Sequence, residues 1–104
     1  MESRRVVITG IGAISPIGIG RESYWSALAE GKSGIGPVTY FDSSIFPSHT
    51  AGEIRSFDPN QFLPSKLVKR TDRSTHLALA DTRKALDDSR IRLNRELEVN
   101  IHVV

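Results

Sequence analysis

Residues 4–20 read RRVVITGIGAISPIGIG. Val6, Val7 and Ile8 form an unbroken β-branched run, which suits a strand buried on both faces rather than one with a side toward water. Gly10 and Gly12 end the run, and Pro16, Gly18 and Gly20 prolong the loop until helical periodicity starts at Arg21. A buried strand, a glycine-rich turn and a helix, in that order, predict an α/β layered fold.

The turn invites a sharper reading. Gly10-Ile11-Gly12 opens like the dinucleotide fingerprint G-x-G-x-x-G, whose glycines let a pyrophosphate approach the backbone. The third glycine is missing: Ser15 stands in its place and Pro16 follows. No acidic residue ends a second clear strand about 20 residues on, where a ribose contact belongs. A turn that needs tight packing or positive φ accounts for the same glycines without a ligand.

At 104 residues the chain is at most one domain. It has no cysteine, which excludes disulfides, thiolate metal sites and a cysteine nucleophile within these residues. No apolar run approaches the ~20 residues that span a bilayer, and Met1-Glu2-Ser3-Arg4-Arg5 leads into too short an apolar segment for a signal peptide. A soluble cytoplasmic protein is the expectation, with no membrane partner. The formal net charge of +2 does not suggest general polyanion binding.

Beyond the turn, Arg21 to Glu30 reads as a helix with Tyr24, Trp25 and Leu28 on a core face and Gly31 as its C-terminal cap. Lys32 to Pro37 reads as a loop, Val38 to Phe41 as a short strand, and Ala51 to Ile54 as a second strand at a sheet edge. Asp58-Pro59 marks a helix start, with Asp58 as N-cap, and Pro64 stops that helix early. A stronger helix is predicted from about Asp72 to Asp88, with Ala78, Leu79, Thr82, Ala85 and Leu86 inward. Three of those five are small, which permits a close approach to a neighbour. Arg83, Lys84 and Asp87 fall off that face and are expected in solvent. Ser89 to Glu98 reads as polar linker, and Val99 to Val104 as a buried-type strand whose sheet partners lie in further sequence.

The catalytic inventory is thin. His49, His76 and His102 have no metal-ligand spacing to one another or to a carboxylate. His76 beside an apolar helical face reads as a packed or surface residue. Ser15 and Ser23 lack a nucleophile elbow, and Asp87-Asp88 sits at a helix end where paired acids face water. No catalytic residue, metal site or cofactor site is assigned.

Charge does mark one place. Between Pro64 and Ser74, four cations (Lys66, Lys69, Arg70 and Arg73) stand against Asp72 alone, a local net charge of +3 that leaves −1 for the rest. With Ser65 capping a helical turn, Lys66, Lys69 and Arg70 share a face at i, i+3 and i+4. Such a face attracts an acidic protein helix, a phosphate or nucleic acid, or simply keeps the chain soluble. No aromatics interleave it, against a single-stranded nucleic-acid platform.

The stretches RRVVITGIGAISPIG (4–18), YWSALAEGKSGIGPV (24–38), FDSS (41–44), AGEIRSFDP (51–59) and KLVKRTDRSTHLALADTRKALDDS (66–89) follow one another collinearly. Together they resemble the N-terminus of β-ketoacyl-acyl-carrier-protein synthases, the elongating type II fatty-acid enzymes and polyketide ketosynthases. The resemblance runs from Arg4 to Ile91 and weakens over Arg92 to Val104. It implies an α/β, thiolase-like fold of layered α-β-α-β-α type, of which residues 1–104 are the N-terminal part of the synthase N-terminal domain, truncated at its C-terminal end.

The resemblance also implies a chemistry. An acyl group is carried on a cysteine, and the enolate released by decarboxylation of malonyl-carrier protein attacks that thioester. The family's cysteine and two catalytic histidines lie beyond residue 104, and His49, His76 and His102 match none of them. The 104 residues alone are therefore expected to be inactive. Lys66, Lys69 and Arg70 occupy the positions at which family members contact the acidic acyl carrier protein. A homodimer or a ketosynthase heterodimer is implied at full length. Two alternatives stay open: a non-catalytic chain-length factor, and a free-standing nucleotide-binding α/β module.

Overall fold

The structure, a computed structural model, describes residues 3–92. Regular structure begins with β1 (Ile14–Ser15) and β2 (Gly18–Ile19), an antiparallel ribbon that pairs Ile14 with Ile19 and Ser15 with Gly18. Helix α1 (Arg21–Ala29) follows directly and packs on that ribbon. A second antiparallel ribbon joins β3 (Ile35–Pro37) to β4 (Thr50–Gly52), in the register Ile35–Gly52, Gly36–Ala51 and Pro37–Thr50. A single 3-10 turn over Pro59–Gln61 leads to α2 (Ser65–Arg70) and then to the long α3 (Arg73–Ser89). No described helix is long and apolar enough to cross a membrane.

Several local readings hold. Gly31 ends α1 at φ 72°, and its N–H donates to the Leu28 carbonyl while that of Lys32 donates to Ala27. This is the Schellman arrangement, which only a residue content with positive φ supports cheaply. Asp58 caps its turn by accepting the Asn60 N–H at 3.0 Å, with Pro59 in the first helical position. Asp72 caps α3 by accepting the Thr75 N–H at 2.9 Å. These signals act over five residues or fewer, so nothing distant overrides them.

Other readings are corrected. Val6, Val7 and Ile8 form no strand and are 74–91% exposed. β-branching favours a pleated, packed surface, but a strand also needs a hydrogen-bonding neighbour, and no described residue supplies one. The first strand of the second ribbon starts three residues earlier than predicted, at Ile35–Pro37 within the expected loop rather than Val38–Phe41, and its partner is Thr50–Gly52 rather than Ala51–Ile54. The reason is Glu53: its carboxylate accepts the backbone N–H groups of Thr39 and Tyr40, each at 3.1 Å, and the Thr39 hydroxyl at 2.9 Å. Those amides serve a side chain instead of a ladder. Pro37 is tolerated because it closes the ribbon at its edge.

The helix faces also shift. Trp25 and Leu28 are exposed and Tyr24 borders on it, while Ala27 is the buried residue of α1. On α3 the buried pair is His76 and Ala80, whereas Ala78 and Leu79 face outward. Lys84, expected in solvent, instead lays its Nζ 5.0 Å from the centre of the Phe62 ring. Arg83 and Asp87 do lie outside, paired with each other at 3.4 Å. The approach of α3 is decided by Gly10 and Gly12. A Cβ on Gly12 would strike the backbone of Asp81 and Ala85, and one on Gly10 the backbone of Ala85 and Ser89. The small Ala85 thus makes the close contact expected of it, and the glycines make it possible from the other side. Ser89 still belongs to α3 rather than to a linker. The expected strand Val99–Val104 and His102 lie outside the described residues.

Candidate functional site

Helix α2 is one and a half turns of chain that could not persist alone, since isolated helices of this length are unstable in water. Its start is Pro64, whose carbonyl accepts the N–H groups of Leu67 and Val68 at 3.0 and 3.1 Å. Ser65, expected as the cap, is the first helical residue, and no side chain caps the N-terminus. At the other end the Thr71 hydroxyl donates to the Leu67 carbonyl at 2.6 Å. The His76 ring, through Nε2, meets the Val68 carbonyl at 3.1 Å. Leu67 and Val68 turn inward and are half-buried.

What remains outside is the predicted basic face. Lys66, Lys69 and Arg70 are all exposed, and among the described residues none of them forms an ion pair. Lys69 and Arg70 occupy the last turn, where the helix dipole favours cations. Asp72, the acid next to them, is turned to the Thr75 amide. Hydrogen bonds from the Thr75 side chain and backbone hold its carboxyl below the ordinary range against the opposing effect of burial.

Arg73 does not belong with this face. Its Nη2 donates to the Ile54 carbonyl at 2.6 Å and to the Tyr40 hydroxyl at 3.3 Å, and its guanidinium lies over the rings of Tyr40 and Phe57. The Tyr40 hydroxyl donates to the same Ile54 carbonyl at 2.6 Å. Arg73 therefore ties α3 to Tyr40 and Ile54, in the segments that leave the second ribbon. Charge counting groups it with its sequence neighbours, and a contact 33 residues away leaves no local signal.

The glycine turn is closed rather than open to an anion. The Ile11 N–H donates to Asp88 Oδ2 at 2.9 Å, and Asp88 Oδ1 pairs with Arg21 Nε at 2.9 Å. A carboxylate occupies the amide that a phosphate would need. A cleft of about 420 Å3 beside it is lined by Arg21 and Lys84 but also by Glu22, Asp87 and Asp88. His49 Nδ1 lies 3.3 Å from the Ser43 hydroxyl, and His76 is packed, as expected of it. Among the described residues no three metal-ligating groups come together.

A family model described as the N-terminal domain of beta-ketoacyl synthase matches residues 3–104. The chain belongs to the β-ketoacyl synthase family. It is 45% identical over 94 residues to a 3-oxoacyl-(acyl-carrier-protein) synthase 2 of Synechocystis sp., covering 90% of this chain and 23% of that protein. It is 45% identical over 85 residues to an actinorhodin polyketide putative beta-ketoacyl synthase 2 of Streptomyces coelicolor, covering 82% and 21%. Among solved structures, the ishigamide ketosynthase/chain length factor superimposes with a TM-score of 0.76 at 39% identity, over 86% of this chain and 22% of that one. The fold of this β-ketoacyl synthase chain is thus a partial, thiolase-like α/β fold. The chain spans less than a quarter of the length of these relatives.

Proposed function

We propose that residues 1–104 are the N-terminal part of a β-ketoacyl synthase domain, in a cytoplasmic protein that catalyses decarboxylating condensation of malonyl-carrier protein with an acyl-enzyme thioester. This part supplies scaffold and a docking face, not catalytic groups. The observation that carries the docking role is α2. Three cations stand exposed on one short helix with no ion-pair partner among the described residues, while the neighbouring acid and the fourth cation are engaged elsewhere. An acidic acyl carrier protein is the complement of such a face. The test is charge reversal, Lys66→Glu with Lys69→Glu, in the full-length protein at low salt. Condensation with carrier-bound malonyl should slow while turnover of malonyl-CoA persists, and unchanged carrier kinetics would remove the docking role.

A second reading has its own support. The structural neighbour is a ketosynthase/chain length factor, and polyketide proteins stand among the relatives. The full-length protein is then the non-catalytic half of a ketosynthase heterodimer rather than a homodimeric synthase. Incubation with acyl-carrier protein separates the two, because a synthase acquires a mass-detectable acyl thioester and a chain-length factor does not.

A further inference from the structure

His76 is one of the few buried side chains of the described chain, 8% exposed, and it does not serve as a hydrophobic filler. Its Nε2 lies 3.1 Å from the carbonyl oxygen of Val68, on the other helix. A carbonyl oxygen only accepts, so Nε2 carries the proton and donates it. Val68 stands between Lys66 and Lys69 in the sequence, at the end of α2 where helical carbonyls lack intrahelical donors. Thr71 satisfies Leu67 from within the connection, with backbone at φ −124° and ψ 162°. His76 satisfies the next carbonyl from α3 itself. Among the described residues its hydrogen bond is the polar tie between the two helices, and it adds a direction to the inward packing of Leu67 and Val68.

We infer that His76 is the positioning residue of the docking face: by holding Val68 it sets the direction in which α2 presents Lys66, Lys69 and Arg70 to a carrier protein. The inference rests on the carrier-docking reading of those three residues. His76 touches neither substrate nor partner. It acts through the helix it holds, and the effect should appear where the carrier protein is recognised and nowhere else.

The experiment uses the full-length protein with malonyl-carrier protein and, separately, malonyl-CoA. H76L keeps the bulk and removes the donor; H76Q places an amide N–H where Nε2 was; H76N is polar but one methylene too short. H76L and H76N should raise KM for the carrier-bound substrate roughly fivefold, the cost of one buried hydrogen bond. They should leave kcat and the malonyl-CoA KM within about twofold, and H76Q should restore the carrier KM. Equal losses with both substrates, or no rescue by H76Q, would make His76 a packing residue and overturn the inference. The Gln and Asn pair carries the comparison if H76L does not fold. Charge reversal at Lys66 and Lys69, run alongside, separates the two levels. If it leaves the carrier KM unchanged, the docking reading itself fails. If it acts while H76L and H76N do not, only the role of His76 fails.

Discussion

The carboxylate of Asp88 accepts the backbone N–H of Ile11 at 2.9 Å, across 77 residues of sequence. Its other oxygen pairs with Arg21 at 2.9 Å, so one side chain near the end of α3 holds both the glycine turn and the start of α1. The two contacts differ in weight. A hydrogen bond to a charged acceptor contributes about 1.5–3 kcal/mol, whereas a largely exposed ion pair contributes about 0–1. We expect Asp88→Ala to lower stability by about 1–2 kcal/mol and Arg21→Ala by less than about 1. Urea midpoints of the full-length variants measure both, and equal shifts would show that the ion pair, not the Ile11 bond, is the tie.

Gly12→Ala tests what the glycines are for. The added Cβ meets the backbone of Asp81 and Ala85, neither of which is a flexible tip that can swing away. A cost of about 1–3 kcal/mol is expected, as for overpacked sites. Calorimetric titration of the unaltered protein with NAD or ATP should give no binding heat, because Asp88 already occupies the Ile11 amide. Measurable binding there would reopen the nucleotide reading.

Glu53 makes the second ribbon sensitive to acid. Burial pushes its carboxyl up, but the hydrogen bonds from Thr39, Tyr40 and Arg55 outweigh this and hold it below its ordinary value of 4.5. A lowered carboxylate contributes stability that is fully present above the unfolded value and is lost as pH falls through the folded one. Glu53→Gln should therefore be less stable than the parent at pH 7, with the gap narrowing below about pH 4. Denaturation midpoints at the two pH values decide it; a gap that widens in acid would reverse the sign.

Arg73 and Arg70 are three residues apart and should answer differently to lysine. Arg73 splits its guanidinium between the Ile54 carbonyl and the Tyr40 hydroxyl while stacking on two rings, a geometry an ammonium does not reproduce. Arg73→Lys should cost roughly 1 kcal/mol of stability, and Arg70→Lys, at an exposed site, within about 0.5. Thermal melts of the two variants give the comparison. Equal effects would mean that Arg73 works as a plain charge.

Salt should erase the contribution of α2. At about 1 M ionic strength the screening length falls to ~3 Å, so under the proposed docking role the exposed Lys66, Lys69 and Arg70 should no longer steer an acidic partner. Neutralising Lys66 and Lys69 should slow carrier-protein encounter several-fold at low salt and not detectably near 1 M. Stopped-flow association rates at both salts check this. A deficit that persists at high salt would point to a packing contact instead of steering.

The residue pattern by itself determined whatever acts within a few residues. The caps at Asp58 and Gly31, the start of α1, the body of α3 and the shared exposure of Lys66, Lys69 and Arg70 all follow from neighbours in the chain. The collinear stretches from Arg4 to Ile91 also carried the family, because long ordered similarity is far more specific than any one motif. Tertiary structure alone decided the rest. Glu53 drew the Thr39 and Tyr40 amides away from a strand, Arg73 turned from the basic cluster to Ile54, and Asp88 closed the glycine turn that resembled a phosphate cradle. Each is a bond between groups 13 to 77 residues apart, and a polar side chain carries no mark of which distant backbone group it will satisfy. The run Val6–Ile8 shows the same limit from the other side: β-branching states what a segment prefers, and only a paired neighbour makes it a strand.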